Sequence, residues 1–177
     1  DASAEKDAAA EHSELYIPGV SVDDVIKYFN EVCLNAEIVN SGDPTKLQRW
    51  EQPISYTCYG NYTDTDIEVM HTFMDWLNTL KEFPGIYEAK EPAIANFCIY
   101  FCTQEEYLDR MGEEYSGTDG GVTFWYNGSN EIYDAVIGYR TDLAQEIRNS
   151  VILEEIYNGL GPINDTQYRL DSIVYSG

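Results

Sequence analysis

The stretch that says most about the fold of this chain runs from Glu154 to Asp165 and reads EEIYNGLGPIND. Its first residues continue a helical pattern of apolar positions that begins near residue 141. Gly161 then indicates a sharp turn, because glycine readily takes the left-handed conformation that commonly ends a helix. We therefore expect a long helix that ends in a glycine turn.

The spacing within this stretch matches the metallopeptidase signature H-E-x-x-H-x-x-G-x-x-H of the zincins. Glu155 falls on the catalytic glutamate of the signature, and Gly161 falls on its turn glycine. The three metal-ligand positions fall on Glu154, Asn158 and Asn164, none of which is histidine. The chain thus has the frame of a metallopeptidase site without its usual zinc ligands.

This spacing has a chemical meaning, because residues four apart on a helix face the same side. Glu154 and Asn158 could hold one ion, and Asn164 or Asp165 could complete the site from the chain that follows the turn. Glu155 would then act as general base on a water bound to the ion. One carboxylate and two amides suit a hard divalent ion held weakly, whereas zinc prefers imidazole and thiolate. Alternatively, no metal binds, and these side chains form a hydrogen-bond network that fixes the turn. The cofactor therefore stays unknown.

The remaining candidate metal or redox ligands form no recognised motif. Cys33, Cys58, Cys98 and Cys102 lack the C-x-x-C spacing of zinc and redox sites. If Cys98 and Cys102 share one strand, they lie about 13 Å apart, beyond the roughly 7 Å reach of a disulfide. Two alternatives therefore stay open. Cys98 and Cys102 form disulfides with Cys33 and Cys58, as in an exported protein, or all four thiols are reduced. His71 has no paired histidine on its predicted helix, and we interpret it as structural.

Composition excludes some functions and favours others. The 177 residues include 32 acidic and 10 basic side chains, for a net charge of −22. A field of this sign repels phosphate backbones, which argues against nucleic-acid binding, and it favours cationic ligands or divalent ions. The chain contains no apolar stretch of about 18 residues, so we expect no membrane span.

The start of the chain predicts a location outside the cytoplasm. Residues 1–16 form a polar leader with little periodicity, and we expect residues 17–177 to form one domain. The chain begins at Asp1, which we interpret as the start of a processed, extracytoplasmic protein. The leader would tether the domain to the bacterial cell envelope or to a lipid anchor.

Periodicity and capping residues predict four helices. The first opens at Ser21, and we expect its apolar stripe to pack in the core: Val22, Val25, Ile26, Phe29, Val32 and Cys33. Capping boxes at Thr65–Glu68 and Thr103–Glu106 open the next two helices. The site helix is expected to be capped by Thr141 or Asp142 and to reach about residue 160.

Strand-forming residues predict a mixed sheet between these helices. The expected strands cover residues 54–59, 93–102, 120–126 and 131–140. The turn at Asn127-Gly128 joins the last two strands in a hairpin. The order of elements predicts one α+β domain, with a long site helix after the last strand.

At the quoted stretch the sequence resembles a bacterial family called domain of unknown function family 2927. Its members carry Glu-Glu-x-x-Gln-x-x-Gly-x-x-Asn-Asp, and this chain has Glu154-Glu155, Asn158, Gly161 and Asn164-Asp165 at those positions. Further landmarks are Ser172-Ile173, Arg49-Trp50, Pro53-Ile54 and Ala95-Asn96, so the resemblance covers roughly residues 24–175. Asn158 departs from the usual glutamine and is one methylene shorter. The resemblance implies a zincin-like fold and a secreted or envelope-attached, lipoprotein-like relative of peptidases.

Two functions follow from these observations. The first is a non-catalytic, zincin-like domain that binds a peptide or another cell-envelope component, and the missing histidines favour it. The second is a metal-dependent peptidase or cell-wall hydrolase that uses Glu155 as general base. Whether the protein is an enzyme is therefore uncertain from the sequence.

Overall fold

The computed structural model describes residues 20–34, 46–166 and 173–174. The helices of this part are α1 (Val22–Leu34), α2 (Asp64–Leu77), α3 (Gln104–Met111) and α4 (Gln145–Gly159). The strands are β1 (Arg49–Trp50), β2 (Ile54–Gly60), β3 (Ile86–Glu88), β4 (Phe97–Cys102), β5 (Gly120–Tyr126) and β6 (Glu131–Arg140). Short 3₁₀ turns cover Pro92–Ile94 and Glu113–Tyr115. The predicted leader, residues 1–16, and Ser172 lie outside the described residues.

All six strands belong to one sheet in which β6 is central. β6 pairs in parallel with β1 and with β4, and β2 and then β3 follow β4, also in parallel pairings. β5 pairs with β6 antiparallel. Ile132 pairs with Trp50 of β1 and also with Tyr126 of β5, so these two strands lie on opposite edges of β6. The predicted mixed sheet is confirmed, but its mostly parallel pairing makes the domain α/β in character.

The main core lies on the face of the sheet that packs against α2 and α4. Phe97, Ile99 and Phe101 of β4 point to this face, because alternate residues of a strand share a side. They pack with buried Ile152 and Ile156 of α4. The opposite face carries α3, whose Tyr107 and Met111 cover the strands beside Cys102. α4 therefore lies directly on the sheet, with one flank toward β5 and β6.

The start of α2 corrects one predicted capping box. The N-cap is Thr63, whose hydroxyl accepts from the Asp66 backbone N–H while the Asp66 carboxylate accepts from the Thr63 N–H at 2.7 Å. Thr65 and Glu68 have the same spacing, but Asp66 also binds Arg148 and accepts from the Gln145 side chain at 2.8 Å. The contacts of Asp66 with residues of α4 therefore favour Thr63 over Thr65 as the N-cap. The second predicted box, Thr103–Glu106, is confirmed at α3.

The start of α4 is also later than predicted. Its N-cap is Ala144, which provides no side-chain cap. The two predicted caps have other partners. The Thr141 hydroxyl donates to the Cys102 carbonyl at 3.0 Å, and Asp142 accepts from the Arg140 guanidinium at 2.8 Å. The Thr141 contact joins the end of β6 to β4, and the Asp142 contact is with the last residue of β6, so neither side chain caps the helix.

Two strand predictions need correction as well. The apolar run 93–102 begins with the 3₁₀ turn Pro92–Ile94, and the strand itself starts only at Phe97. Proline at the first position of this turn favours it over an extended chain. β1 and β3 were not predicted, because two or three residues are too few to show an alternating pattern. The strands at 54–59, 120–126 and 131–140, with their hairpin turn, are confirmed.

The first helix forms where predicted, but its apolar stripe is mostly not in the core. The Ser21 hydroxyl accepts from the Asp24 N–H at 3.1 Å and caps α1. Val32 and Cys33 are buried and pack with Val174. The rest of the stripe corrects the prediction, since Val22, Ile26 and Phe29 are exposed. Among the described residues, the second half of α1 contacts the domain, with Tyr28, Val32 and Cys33 in one cluster with Tyr157 and Val174, so the stripe extends beyond the surface that it packs on.

The structure resolves the open question about the cysteines in favour of four free thiols. Cys58 lies on the core face, where its thiol donates to the Met70 sulfur at 3.7 Å. Cys98 and Cys102 lie on the opposite face of the sheet, beside α3. Burial raises the pKa of the Cys58 thiol to about 12, with a further contribution from the Glu88 carboxylate, and burial raises the pKa of Cys33 to about 11.

We expect Cys58 in the folded protein to be alkylated by iodoacetamide at pH 9 at least about 100-fold more slowly than in urea, because the thiolate is the nucleophile. Because the pKa of the Cys58 thiol is higher in the folded than in the unfolded protein, the thiol stabilises the folded state at pH values below its unfolded pKa of about 8.5. This stabilisation is lost as the pH rises through the folded pKa of about 12. Peptide mapping by mass spectrometry measures the rates. Equal rates in the folded and unfolded protein would contradict the burial of this thiol.

None of the helices in the described ranges combines the length and apolarity needed to cross a bilayer.

Candidate functional site

The end of α4 is held by close contacts with the chain around β1. The Trp50 indole N–H donates to the Gly159 carbonyl at 2.9 Å, which satisfies one of the carbonyls that a helix end leaves unpaired. Gly161 then turns the chain with φ of 124°. A Cβ at this position would lie 2.2 Å from the Gln48 carbonyl oxygen. The turn therefore needs glycine for both its backbone conformation and its close approach to residue 48.

Glu155 is buried on the flank of α4 that faces β5. Its side chain is 7% exposed. A Cβ added to Gly120, the first residue of β5, would lie 2.9 Å from the Glu155 Cγ and 3.1 Å from its Oε1. The absence of a side chain at Gly120 is what lets this glutamate lie against the strand. The structure thus places the predicted catalytic residue beside the antiparallel edge of the sheet.

The Glu155 carboxylate acts on three tyrosines, of which Tyr139 lies on the α4 face of the sheet and Tyr107 and Tyr115 lie on the α3 face. Burial raises the pKa of Tyr107, Tyr115 and Tyr139, and the Glu155 carboxylate adds to each shift. Their hydroxyls bond Thr118 Oγ1 at 2.7 Å and the carbonyls of Val122 at 2.8 Å and Ile152 at 2.9 Å. All three tyrosines are therefore neutral at physiological pH.

Asn158 is the predicted site residue that the structure brings to Glu155. Its Nδ2 donates to the Glu155 Oε2 at 3.5 Å, one helical turn along α4. Its Oδ1 is the one buried side-chain polar atom in the described residues that has no hydrogen-bond partner. An unpaired buried acceptor costs about 1–3 kcal/mol, so a bound donor such as a water or a ligand N–H would relieve it.

Asn164 goes to a different partner. Its Nδ2 donates to the Glu31 carbonyl of α1 at 2.9 Å, and its backbone N–H donates to the Val32 carbonyl at 3.2 Å. This amide therefore ties the chain after the turn to the last turn of α1. Glu154 and Asp165 are half-buried, on the helix and after the turn respectively.

The side chains at the signature positions are not the ligands of a tightly held zinc ion. The signature positions offer one carboxylate and two amides, and both amide nitrogens donate to protein oxygens. Zinc prefers imidazole nitrogen and thiolate, and neither occurs at these positions. Within the ranges that the structure describes, no group of three or more His, Cys, Asp or Glu side chains could hold a metal ion.

His71 takes the structural place predicted for it. Its Nε2 and the Tyr56 hydroxyl share a hydrogen bond of 3.0 Å on the flank of α2. Sequence reasoning missed Gly120 and the tyrosines around Glu155. The pair Gly120-Gly121 at the start of a strand is a signal for close approach of another element, and it could have identified this contact.

In the described residues, fold and site together define an α/β arrangement in which α4 lies on a mixed sheet and brings a buried glutamate to the antiparallel strand β5. The chain belongs to the family described as Protein of unknown function (DUF2927), whose sequence profile matches residues 23–176. This match confirms the family that the motif predicts. Comparison with curated proteins gives no match.

Proposed function

We propose that this chain is a non-catalytic, zincin-like binding domain that takes up an extended, cationic peptide segment along the outer edge of β5, beside Glu155. The observation that carries this proposal is the position of Glu155 against Gly120 of an edge strand. The absence of histidine from the signature positions supports a binding role over hydrolysis.

The hydrogen-bond pattern identifies which backbone groups of β5 point outward. The Arg140 N–H donates to the Asp119 carbonyl at 3.1 Å, so this pair is a hydrogen-bonded one. Such pairs alternate with non-bonded ones along an antiparallel ladder, and Gly120, Val122 and Phe124 therefore turn their N–H and C=O groups away from β6. The Tyr115 hydroxyl donates to the Val122 carbonyl at 2.8 Å, in agreement with that direction.

An outer edge of this kind can accept an added strand. No strand in the described residues pairs with β5 on the side away from β6. Main-chain hydrogen bonds to such an edge provide affinity, and neighbouring side chains provide specificity. The net charge of −22 favours a peptide that carries lysine or arginine.

The zincin-like assignment and the location rest on different support. The order of a mixed sheet, a long helix and a glycine turn supports the zincin-like assignment. The family resemblance supports a secreted or lipid-anchored protein of the cell envelope, where a peptide or another envelope component would be the partner. A weakly held divalent ion is not needed for this role.

One observation favours a second function, a metal-dependent peptidase or cell-wall hydrolase. The buried Asn158 Oδ1 lies on the residue that contacts Glu155, and a water bound there would be next to a candidate general base.

We expect arrayed lysine- and arginine-containing decapeptides to bind, and Phe124→Pro to weaken that binding by about tenfold. Proline removes the outward N–H of Phe124 and leaves the hydrogen bonds to β6 in place. Fluorescence anisotropy measures the affinity, and circular dichroism verifies the fold. Phe124→Leu is the matched control and should bind like the wild type. Failure of every arrayed peptide to bind, or full binding by the proline variant, would overturn the proposal.

The same preparation distinguishes binding from hydrolysis. The wild type should leave peptides and muropeptides intact with or without added zinc, manganese or calcium. If cleavage occurs and is lost in a folded Glu155→Gln variant, the hydrolase is the correct function and the binding role is wrong.

A further inference from the structure

The sheet face that carries α3 is covered at the start of β5 and exposed at its end. Near the start, the Tyr115 hydroxyl beside α3 shares a hydrogen bond of 3.2 Å with Thr123 Oγ1. Trp125 lies on the same face as Thr123, because alternate residues of a strand share a side. Its side chain is 44% exposed, and Tyr133 of the neighbouring strand is 55% exposed. Two aromatic side chains are therefore accessible on this face beyond α3.

A β-bulge places two consecutive residues of β6 opposite Trp125. Trp125 pairs with Asp134, but the next residue of β5 already pairs with Ile132. Tyr133 is therefore the extra residue of the bulge. Ile132 and Ala135, on either side of the two residues, are both buried in the core. Tyr133 and Asp134 thus turn away from the core, to the face of Trp125.

The charge of Asp134 is not balanced by a neighbouring cation. Burial raises the pKa of the Cys98 thiol and the Asp134 carboxylate raises it further, which agrees with their position on one face. No lysine, arginine or histidine in the part of the chain that the structure describes pairs with Asp134. Burial also raises the pKa of Asp134 itself, against the effect of the Ala135 N–H, and a bound cation would favour the charged form.

A carboxylate beside exposed aromatic rings suits an organic cation. The face of an indole or phenol ring attracts ammonium and guanidinium groups, and a carboxylate accepts charge-assisted hydrogen bonds from them. The net charge of −22 attracts cations to the protein as a whole. Trp125, Tyr133 and Asp134 therefore have the chemistry of a cation site, on the face of the sheet opposite to Glu155.

A peptide strand added to β5 would bring a side chain to this site. The peptide residue that pairs with Trp125 turns its side chain to the face of Trp125, because paired residues of neighbouring strands share a side. Strands lie about 5 Å apart, so Asp134 is about 10 Å across the sheet from that peptide residue. The long stem of a lysine or arginine can cover the indole ring and carry the charged end toward the carboxylate.

We propose that Trp125, Tyr133 and Asp134 bind the side chain of a lysine or arginine in the peptide that pairs with β5. The stem lies on the Trp125 ring, and the charged end meets the Asp134 carboxylate. This proposal rests on the proposed function, since the added strand carries the basic side chain to the site. It adds a basic position on the side of the peptide that faces away from Glu155.

Fluorescence anisotropy with matched peptides tests the proposal. The probes are labelled decapeptides of alternating threonine and serine, with lysine, norleucine or glutamate at the fifth position. We expect the lysine peptide to bind about tenfold more tightly than the norleucine peptide, and the glutamate peptide to bind most weakly. Asp134→Asn should weaken binding of the lysine peptide at least about threefold and leave the norleucine peptide unchanged. Trp125→Ala should weaken both, because each stem loses its apolar contact.

Two matched variants control for charge and for aromatic surface. Asp109→Asn removes one negative charge from the exposed side of α3. Trp76→Ala removes an indole of α2 that is 54% exposed, on the other face of the sheet. Both should bind the lysine peptide like the wild type. Circular dichroism verifies the fold of every variant.

The outcomes separate this proposal from the proposed function. If the lysine peptide binds and Phe124→Pro weakens it, but folded Asp134→Asn and Trp125→Ala bind it like the wild type, the proposal is wrong and the edge-binding function stands. If neither this peptide nor any arrayed peptide binds, both are wrong. Choline and its neutral analogue 3,3-dimethylbutanol, followed by NMR at the Trp125 indole N–H, reveal a free cation. A shift with choline alone, without peptide binding, would overturn the peptide as occupant and assign a small organic cation.

Discussion

Replacing Arg148 with methionine should destabilise the protein by about 3–5 kcal/mol, since loss of one partner leaves the other charge buried and unpaired. Arg148 is 9% exposed and Asp66 is 0% exposed, and the two side chains form an ion pair between α4 and the start of α2. Arg148 also donates to the Thr141 carbonyl at 3.2 Å. Urea unfolding followed by circular dichroism measures the change in the free energy of unfolding.

Two further variants show whether the buried charge is the cause. The double variant Asp66→Asn with Arg148→Met should recover part of the lost stability, because it removes the uncompensated carboxylate. Arg49→Met breaks an exposed pair with Glu51, whose side chains are 64% and 39% exposed, and should change stability by less than about 1 kcal/mol. A loss below about 1 kcal/mol for Arg148→Met would show that the pair does not join these helices.

Gly161→Ala should destabilise the protein by about 3 kcal/mol or more. The backbone at this position has φ of 124°, and the strain of a side chain there is about 1–3 kcal/mol. The new Cβ would also lie 2.2 Å from the Gln48 carbonyl oxygen, and the backbone shift that relieves this contact adds about 1–3 kcal/mol. Urea unfolding again provides the measurement.

Two other glycines separate these contributions. Gly117 has φ of 94° but no neighbouring atom within 4 Å of an added Cβ, so Gly117→Ala should show the backbone strain alone. Gly128 also has no such neighbour, and its φ lies outside the left-handed range, so Gly128→Ala should be close to neutral. If Gly161→Ala cost no more than Gly117→Ala, the close approach to Gln48 would not contribute to stability.

The parts of the fold that the sequence predicted correctly depend on contacts between near neighbours. Thr103 and Glu106 cap α3 with each other's backbone, three residues apart. The hairpin turn at residue 127 is stabilised by its own side chain, since Asn127 Oδ1 accepts from the Ser129 N–H at 2.8 Å. Such interactions can be recognised from spacing alone.

Predictions were wrong where a side chain had a distant partner. Threonine is a favoured N-cap residue, yet the Thr141 hydroxyl donates to the carbonyl of Cys102, 39 residues away in sequence. The capping box predicted at Thr65–Glu68 is wrong, because Asp66 pairs with Arg148, 82 residues later, and forms the box with Thr63 instead. Helix periodicity likewise could not show that the first half of the α1 stripe, at Val22 and Ile26, stays exposed.

The sequence by itself determined the acidic character of the protein, its family, and the helix with Glu155 and Asn158 one turn apart. These properties follow from composition and from interactions over a few residues. Only the tertiary structure decided the strand order and the place of Glu155 against Gly120. The physical reason is that parallel pairing and close approach join segments tens of residues apart, and local periodicity does not specify which segments meet.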